Sequence, residues 1–248
     1  MCKCCREMYY SLNIVIPNYL CDRFDTLSMW GMARIFQEAA DLHAATNGIG
    51  FAELSQANKA WVLSRVYYKV ERLPKEGEEV RVTTWSRGTD GLFAFREYTM
   101  ETLEGERLVS GTSYWVIINY IERKAVRMHD LMDGYEFHPD LATDKETLGR
   151  VRVPKTELPP VSQFDVKPSM LDHNNHVNNA EYIKWIFDNL ADDTLRDPHR
   201  DFRFTLEYFQ ETPPNDTVSV FRIPTECATF FQISNSRTVA VTAKIENV

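Results

Sequence analysis

The order of apolar and polar positions along the chain predicts a short strand, a long helix and then a series of strands. A strand is predicted over 11–17, followed by a helix over 26–46 whose apolar residues recur at spacings of three and four. Runs of aromatic and β-branched residues, separated by turns, then predict four strands, at 61–70, 79–86, 92–101 and 107–120. The pattern indicates one long helix packed on an antiparallel sheet.

The second half repeats this order after a stretch of different composition. Residues 128–160 are rich in Asp, Glu, Lys and Pro without a sustained period, which is typical of a connection between domains. A strand over 161–168 and a helix over 177–190 follow it, and four more strands are predicted, at 202–209, 217–223, 228–234 and 238–245. We therefore predict an N-terminal repeat (1–127), a connection (128–160) and a C-terminal repeat (161–248).

The two halves can also be matched residue by residue. An offset of 150 sets Thr26 on His176, and a later offset of 138 sets Leu73 on Glu211. The same element order in both halves favours an internal duplication. Two sheets, each wrapped on one long helix, make this an α+β protein.

Charge and hydropathy exclude several classes of function. The formal net charge of −8, with 28 scattered Lys and Arg, argues against binding to nucleic acid. No apolar run approaches the roughly 20 residues of a membrane span. Residues 1–10 also lack the apolar core of a signal peptide. We expect a cytoplasmic protein without a membrane span.

Three of the five cysteines, Cys2, Cys4 and Cys5, crowd the N-terminus, where near neighbours form disulfides poorly. A metal site is the alternative interpretation of this cluster, but a second ligand pair at finger-like spacing is missing. We predict a frayed terminus there and no metal.

The densest polar cluster, Asp-His-Asn-Asn-His-Val-Asn-Asn over 172–179, lies between a predicted strand and a helix. Asp172, Asn174 and His176 alternate, so an extended backbone projects them to one side. An isolated loop of this kind is more often a polar turn with a helix cap. Here, however, ionisable groups at the matched positions, His176 and Glu211, occur in the second half alone.

The helix that follows the cluster adds a second chemical feature. Asn178 or Asn179 is suited to cap it. Free backbone N–H groups near Val177 and Asn178, at the positive end of the helix dipole, are the arrangement that stabilises an oxyanion.

Four segments of the chain resemble the acyl-acyl carrier protein thioesterases of plants and bacteria. They are Trp-Val-Leu-Ser-Arg at 61–65, Ser-Tyr-Trp-Val-Ile-Ile-Asn at 113–119, the cluster at 172–182, and Leu-Glu-Tyr-Phe-Gln-Glu at 206–211. The short His-Val-Asn-Asn element is shared by many hotdog thioesterases, whereas all four segments in order are specific. The resemblance extends from Leu12 to the C-terminus and implies a tandem hotdog fold.

The resemblance implies that Asp172, Asn174, His176 and Glu211 form the catalytic set. Glu211 would act as general base toward a water, His176 would position that water or share its proton, and Asn174 would be held by Asp172. A cysteine often follows the glutamate in the plant enzymes, but this chain has Thr212. That departure favours activated water over an acyl-cysteine intermediate, or else indicates weakened activity. Because a thiolate leaves readily, no metal or other cofactor is expected.

The first repeat lacks the polar set but retains an apolar helix, so we expect it to hold the acyl tail between that helix and the sheet beginning at Trp61. Met29, Met32 and Phe36 are core residues by default, and a subset of them is expected to line the acyl tunnel. His43, on the same helix face, is expected to be a core or pocket residue.

The predicted function is hydrolysis of fatty acyl thioesters of acyl carrier protein in fatty acid biosynthesis. An acyl-CoA thioesterase of the same fold and a catalytically silent acyl-binding module are the alternatives. One chain provides what single-hotdog proteins obtain by dimerising, and a homodimer of such chains is left open. Chain length, saturation and the division of roles between Glu211 and His176 are likewise not determined by the sequence.

Overall fold

The computed structural model describes residues 7–128, 135–155, 157–190 and 201–247. Its helices are α1 (Met29–Thr46), α2 (Phe51–Gln56) and α3 (Asn179–Asp188). Its strands are β1 (Tyr9–Val15), β2 (Lys59–Val70), β3 (Glu79–Thr89), β4 (Ala94–Thr102), β5 (Arg107–Asn119), β6 (Lys124–Val126), β7 (Ser162–Asp165), β8 (Phe202–Tyr208), β9 (Thr217–Pro224), β10 (Ala228–Ser234) and β11 (Val239–Asn247).

These strands form one antiparallel sheet in the order β1-β3-β4-β5-β2-β8-β11-β10-β9-β7, with β6 paired to β5. Each half contributes its strands in the same order, and the halves meet where β2 pairs with β8. At that join Arg65 lies opposite Glu207, and Lys69 lies opposite Arg203. The structure is the α+β tandem hotdog that the repeat and the resemblance predict, but the two predicted sheets are one continuous sheet because β2 and β8 pair across the join.

Strand register confirms both offsets of the duplication. Val15 pairs with Glu79 in the first half, and Asp165 pairs with Thr217 in the second. These pairs differ by 150 at the first strand and by 138 at the second. The two halves are therefore matched at the level of individual hydrogen-bonded pairs.

One hydrophobic core extends through both halves. It includes Met32 and Phe36 of α1, Ile183 of α3 and strand residues from each side of the join. Helices α1 and α3 pack against each other, and Trp30 Nε1 donates a hydrogen bond to Glu181 Oε1 across that contact at 2.9 Å. The apolar stripes of the helices thus determine the fold by being buried together.

Helix α1 begins three residues later than the pattern predicts. Ser28 is its N-cap, accepting a hydrogen bond from Gly31 N–H, and the residues before it form a closed loop. Gly31 is required there because a Cβ would lie 2.6 Å from the Leu20 carbonyl oxygen. The short elements α2 and β6 were not predicted, since so few residues display no period.

Between the repeats, β6 ends at Val126 and β7 begins at Ser162. The division into 1–127, 128–160 and 161–248 stays a prediction. Cys2, Cys4 and Cys5 lie outside the described residues. Within the described part of the chain, no helix is long and apolar enough to cross a membrane.

Candidate active site

Asp172 organises the backbone of the loop before α3. Its Oδ1 accepts the N–H groups of Asn174 at 2.8 Å and of His176 at 3.3 Å. Its own N–H donates to the His176 carbonyl at 2.8 Å, and Asn175 adopts a left-handed φ of 62° that the tight turn requires. Asp172 therefore holds Asn174 through the backbone and not through the side-chain amide.

His176 and Glu211 are the pair that the fold brings together. His176 Nδ1 lies 3.3 Å from Glu211 Oε2, and the side chains are 37% and 45% exposed, respectively. Glu211 reaches the loop because its neighbour Thr212 accepts a hydrogen bond from Val177 N–H at 3.0 Å through its carbonyl oxygen. An imidazole and a carboxylate in contact with solvent can bind a water and remove its proton.

Asn174 belongs to the same loop, but its side chain is exposed. Its amide has no hydrogen-bond partner among the described residues. Three of the four predicted catalytic residues, Asp172, His176 and Glu211, are thus linked by contacts, while the Asn174 amide is open to a ligand.

The two predicted oxyanion donors are wrong. Val177 N–H donates to the Thr212 carbonyl at 3.0 Å, and Asn178 N–H donates to the Met170 carbonyl at 2.9 Å. Both are used to close the loop, because Leu171 and Val177 form an antiparallel bridge. Asn178 instead caps α3, with its Oδ1 accepting Ala180 N–H at 2.9 Å.

Thr212, which stands where plant enzymes often have a cysteine, is completely buried. Its Oγ1 accepts a hydrogen bond from the Tyr182 hydroxyl at 2.8 Å. Burial raises the pKa of Tyr182 to about 12, so the phenol remains a donor at neutral pH. Thr212 therefore links the segment that follows β8 to α3 through this hydrogen bond, and its side chain is not accessible to substrate.

Two mainly apolar cavities lie along α1, and one of them reaches Asn179 at the start of α3. The N-terminal cavity lies between α1 and the sheet and has an empty volume of about 400 Å³, which includes the solvent space at its opening. Its lining includes Ala40, Asp41, Trp61, Ala94, Arg96 and Trp115. The interhelical cavity, about 330 Å³, lies between α1 and α3; its lining includes Phe36, Leu63, Tyr98, Trp115, Asn179 and Ile183. Trp115 is a wall of both, so they adjoin.

Of the three predicted tail-binding residues, only Phe36 lines a cavity. Met29 and Met32 are buried in the common core and border neither of these two cavities, so the structure gives their assignment no support. Residues of α1 and Trp61 do line a cavity in the first half, and the expectation that this half holds the acyl tail stays a prediction.

Sequence reasoning missed the contact between α2 and the catalytic loop. The ring of Phe51 lies edge-on to His173 with centroids 4.2 Å apart. Trp61 Nε1 donates to the Ile49 carbonyl at 2.9 Å, which anchors the chain just before α2. The first half therefore forms one side of the site.

Arg96 was also missed, although the sequence carries a signal for it. Strand periodicity places Arg96 on the same face as Ala94, Tyr98 and Met100, all of which are buried. A charged residue in an otherwise apolar row of a strand marks a buried polar site. No group of three or more His, Cys, Asp or Glu among the described residues is arranged to hold a metal ion.

Two family models match this chain. The acyl-ACP thioesterase N-terminal domain matches residues 7–135, and the acyl-ACP thioesterase C-terminal domain matches residues 154–246. Among curated proteins, the oleoyl-acyl carrier protein thioesterase 1 of Arabidopsis thaliana is 28% identical, covering 84% of this chain and 62% of its own length. The palmitoyl-acyl carrier protein thioesterase of Gossypium hirsutum is 30% identical, covering 82% and 52%. The chain thus spans about half to three fifths of these chloroplastic relatives.

Solved structures share the fold over nearly the whole chain. An acyl-ACP thioesterase from Bacteroides thetaiotaomicron superposes with a TM-score of 0.86 at 24% identity, covering 97% of this chain and 98% of its own. The 12:0-ACP thioesterase from Umbellularia californica gives 0.84 at 21% identity, covering 98% of both. At these identities the likeness establishes the architecture.

Proposed function

Because the chain belongs to the acyl-ACP thioesterase family, we propose that it hydrolyses fatty acyl thioesters of acyl carrier protein to free fatty acid and holo-carrier in fatty acid biosynthesis. The observation that carries the proposal is the solvent-accessible contact between His176 and Glu211. An apolar cavity that reaches Asn179, at the start of α3, can hold an acyl chain. The names of the relatives, which act on oleoyl, palmitoyl and dodecanoyl carriers, support the proposal.

The reaction needs one activated water. Glu211 removes a proton from the water as its oxygen attacks the thioester carbonyl carbon, and His176 orients the water and shares the proton. The carbon–sulfur bond then breaks, and the departing thiolate takes up the proton. Asn174 is free to donate its amide hydrogen to substrate, because no side chain among the described residues occupies it.

The position of Thr212 supports a mechanism without an acyl-enzyme. A buried hydroxyl that already accepts the Tyr182 hydrogen bond is poorly placed to attack a thioester. Two cysteines lie in the described part of the chain. Cys227 is exposed in the turn between β9 and β10. Burial raises the pKa of Cys21, which opposes thiolate formation. Among the described residues, these positions favour water as the nucleophile.

The division of labour follows the fold. The C-terminal repeat supplies the reacting groups, and the N-terminal repeat, with Phe36, Trp61 and Trp115, encloses the acyl chain. The cytoplasmic location and any homodimer stay predictions.

The decisive experiment is a hydrolysis panel of acyl chains from short to long, each presented on acyl carrier protein and on CoA. We expect turnover on the carrier protein to exceed that on CoA for the same chain. Higher turnover on CoA would identify an acyl-CoA thioesterase. Acyl binding without turnover on either carrier would identify a silent acyl-binding module.

A further inference from the structure

Arg96 on β4 is a buried cation without a counter-ion in contact. Its residue is 9% exposed, and no carboxylate of the described residues lies within ion-pair distance of its guanidinium. Removing such a charge from water is costly unless its hydrogen bonds are satisfied. The protein therefore keeps Arg96 in its core for a reason other than an ion pair.

The hydrogen-bond partners of Arg96 engage only one of its three guanidinium nitrogens. Nη1 contacts His43 Nδ1 at 2.9 Å and donates to Thr84 Oγ1 at 3.3 Å. Since arginine can only donate, Nδ1 is the acceptor, and His43 Nε2 carries the proton that it donates to the Glu7 carbonyl at 2.8 Å. Nε and Nη2 have no acceptor among the described residues.

His43 does not neutralise or compete with Arg96. Burial and, to a smaller extent, the Arg96 charge lower the pKa of His43 to about 4, so the imidazole is neutral at physiological pH. Arg96 keeps its full positive charge beside the N-terminal cavity that it lines.

Asp41 places an acceptor on the same cavity. Asp41 is exposed, but partial burial of its carboxylate and the charge of Glu38 raise its pKa to about 6, while the charge of Arg96 acts to lower it. It forms no ion pair with Arg96 within 4 Å. The cavity thus has apolar walls with one strong donor and one carboxylate acceptor.

We propose that the N-terminal cavity selects acyl chains that carry a hydroxyl group, which accepts a hydrogen bond from Arg96 and donates one to Asp41. This inference rests on the proposed hydrolysis of acyl thioesters. Nε and Nη2 of Arg96 are not among the buried polar atoms without a partner in the described residues, so they retain contact with solvent. A plain hydrocarbon would displace that solvent without offering an acceptor in its place. A terminal carboxylate would be repelled by Asp41, and a ketone has no proton to donate to it.

The test is a comparison of matched substrates on acyl carrier protein: chains of equal length, unsubstituted or hydroxylated at successive positions. Hydrogen bonds to charged groups predict that at least one positional isomer exceeds its unsubstituted match roughly ten- to a hundredfold in kcat/KM. Arg96→Met should reduce that isomer to the unsubstituted level. Arg81→Met, which removes an exposed arginine from the neighbouring strand β3, should leave the preference unchanged.

A second variant guards against misfolding, since Arg96 supports His43. Asp41→Ala alters an exposed side chain, so the fold should persist, while the preference for the hydroxylated isomer should fall roughly tenfold. An Asp41→Ala enzyme with unchanged preference would contradict the proposed acceptor. Melting curves for each variant confirm that folded proteins are compared.

A binding measurement separates this inference from the proposed function. Trp61 and Trp115 line the cavity, so free fatty acids and their hydroxylated counterparts can be titrated by tryptophan fluorescence without any hydrolysis. Tighter binding of a hydroxylated acid, abolished by Arg96→Met, supports the inference even if no carrier thioester is hydrolysed. Hydrolysis without preference for any isomer overturns the inference and leaves the function standing. An equal rise in KM for all chains in Arg96→Met also overturns it, because the cavity would then hold the carrier's pantetheine arm.

Discussion

The loops before α1 and α3 have the same backbone and different chemistry. In both, the aspartate N–H donates to a carbonyl four residues on at 2.8 Å: Asp22 to Thr26, and Asp172 to His176. The fourth loop residue has a left-handed φ in each case, 58° at Asp25 and 62° at Asn175. The backbone of the loop therefore does not depend on the catalytic side chains.

The two loops differ in the hydrogen-bond partner of one side chain, Thr26 in the first half and His176 in the second. In the first half, Thr26 Oγ1 donates to Asp22 Oδ1 at 3.0 Å and so closes the loop on itself. In the second half, the His176 ring turns instead to Glu211, at the position where the first half has Leu73. Two substitutions on a common frame thus distinguish a silent loop from a reactive one.

Substitutions at the matched positions test this comparison with the largest expected effect. A general base or its partner contributes about a hundred- to ten-thousandfold in rate, so His176→Ala and Glu211→Ala should each lose activity on that scale. Thr26→Ala and Leu73→Ala are the controls and should retain it. Steady-state kinetics on acyl carrier protein, with melting curves, provide the measurement.

Because His176 and Glu211 act on one water, the double variant should lose far less than the product of the single losses. Full activity in Glu211→Gln together with loss in Thr26→Ala would place the reacting groups in the wrong half. Strictly multiplicative losses would mean that the two side chains act independently.

His43 is a buried histidine of the first half, and its burial should make the stability of the protein depend on pH. Its pKa is about 4 when folded and 6.5 in the unfolded chain, so only the unfolded state binds a proton as pH falls from 6.5 toward 4. Stability contributed by neutral His43 is thus present above about pH 6.5 and lost on acidification toward pH 4, by roughly 3 to 4 kcal/mol at about 1.4 kcal/mol per pKa unit.

Urea denaturation at pH 7 and pH 4.5 should therefore show a smaller acid loss for His43→Gln than for the wild type. Asp41, with its raised pKa, works in the opposite direction between 3.8 and about 6, but its exposed side chain limits the effect. Equal losses in both proteins would contradict the role given to His43.

The cavity and core residues of α1 should separate in a chain-length experiment. Phe36→Leu enlarges the interhelical cavity, so the preferred acyl chain should lengthen, with a change of roughly tenfold in the kcat/KM ratio of neighbouring chain lengths. Met32→Leu, a change of similar volume in the core, should leave the ratio as it is. An unchanged ratio in Phe36→Leu would remove this residue from the acyl site.

The smallest expected effect concerns the thiols. Replacing all five cysteines by Ser should leave kcat/KM within about twofold, because a water mechanism uses none of them. Cys21 donates only a weak hydrogen bond to the Pro17 carbonyl at 3.5 Å, so folding should survive. A trapped acyl-cysteine in the wild type would contradict the mechanism.

The fold could be predicted from the sequence because long periodic segments dominate it. The apolar stripe of α1 and the aromatic strands carry their own signal, and the offsets of 150 and 138 reappear in the strand pairs. Helix ends shifted by two or three residues, since Ser28 and Asn178 cap the helices only after the loops have closed.

The site was predictable where the chemistry is carried by side chains within one segment, and less so where it depends on distant contacts. His176 and Glu211 stand out by residue type, but whether an N–H is free depends on the partner across the loop. Val177 is bound to Thr212 by a contact that only the folded chain forms. For the same reason Phe51, on a helix of six residues, could not be linked to His173.

The join between β2 and β8 also bears on how the two halves diverged. A symmetric dimer would repeat every contact about its twofold axis, so a useful pair and any defect would both occur twice. Here the pair of Arg65 with Glu207, whose Nε and Oε1 are 3.1 Å apart, has as its counterpart two cations, Lys69 opposite Arg203. Because the two repeats are parts of one chain, a residue in one repeat can be substituted without changing the matching residue in the other. One repeat can therefore specialise in chemistry and the other in recognition.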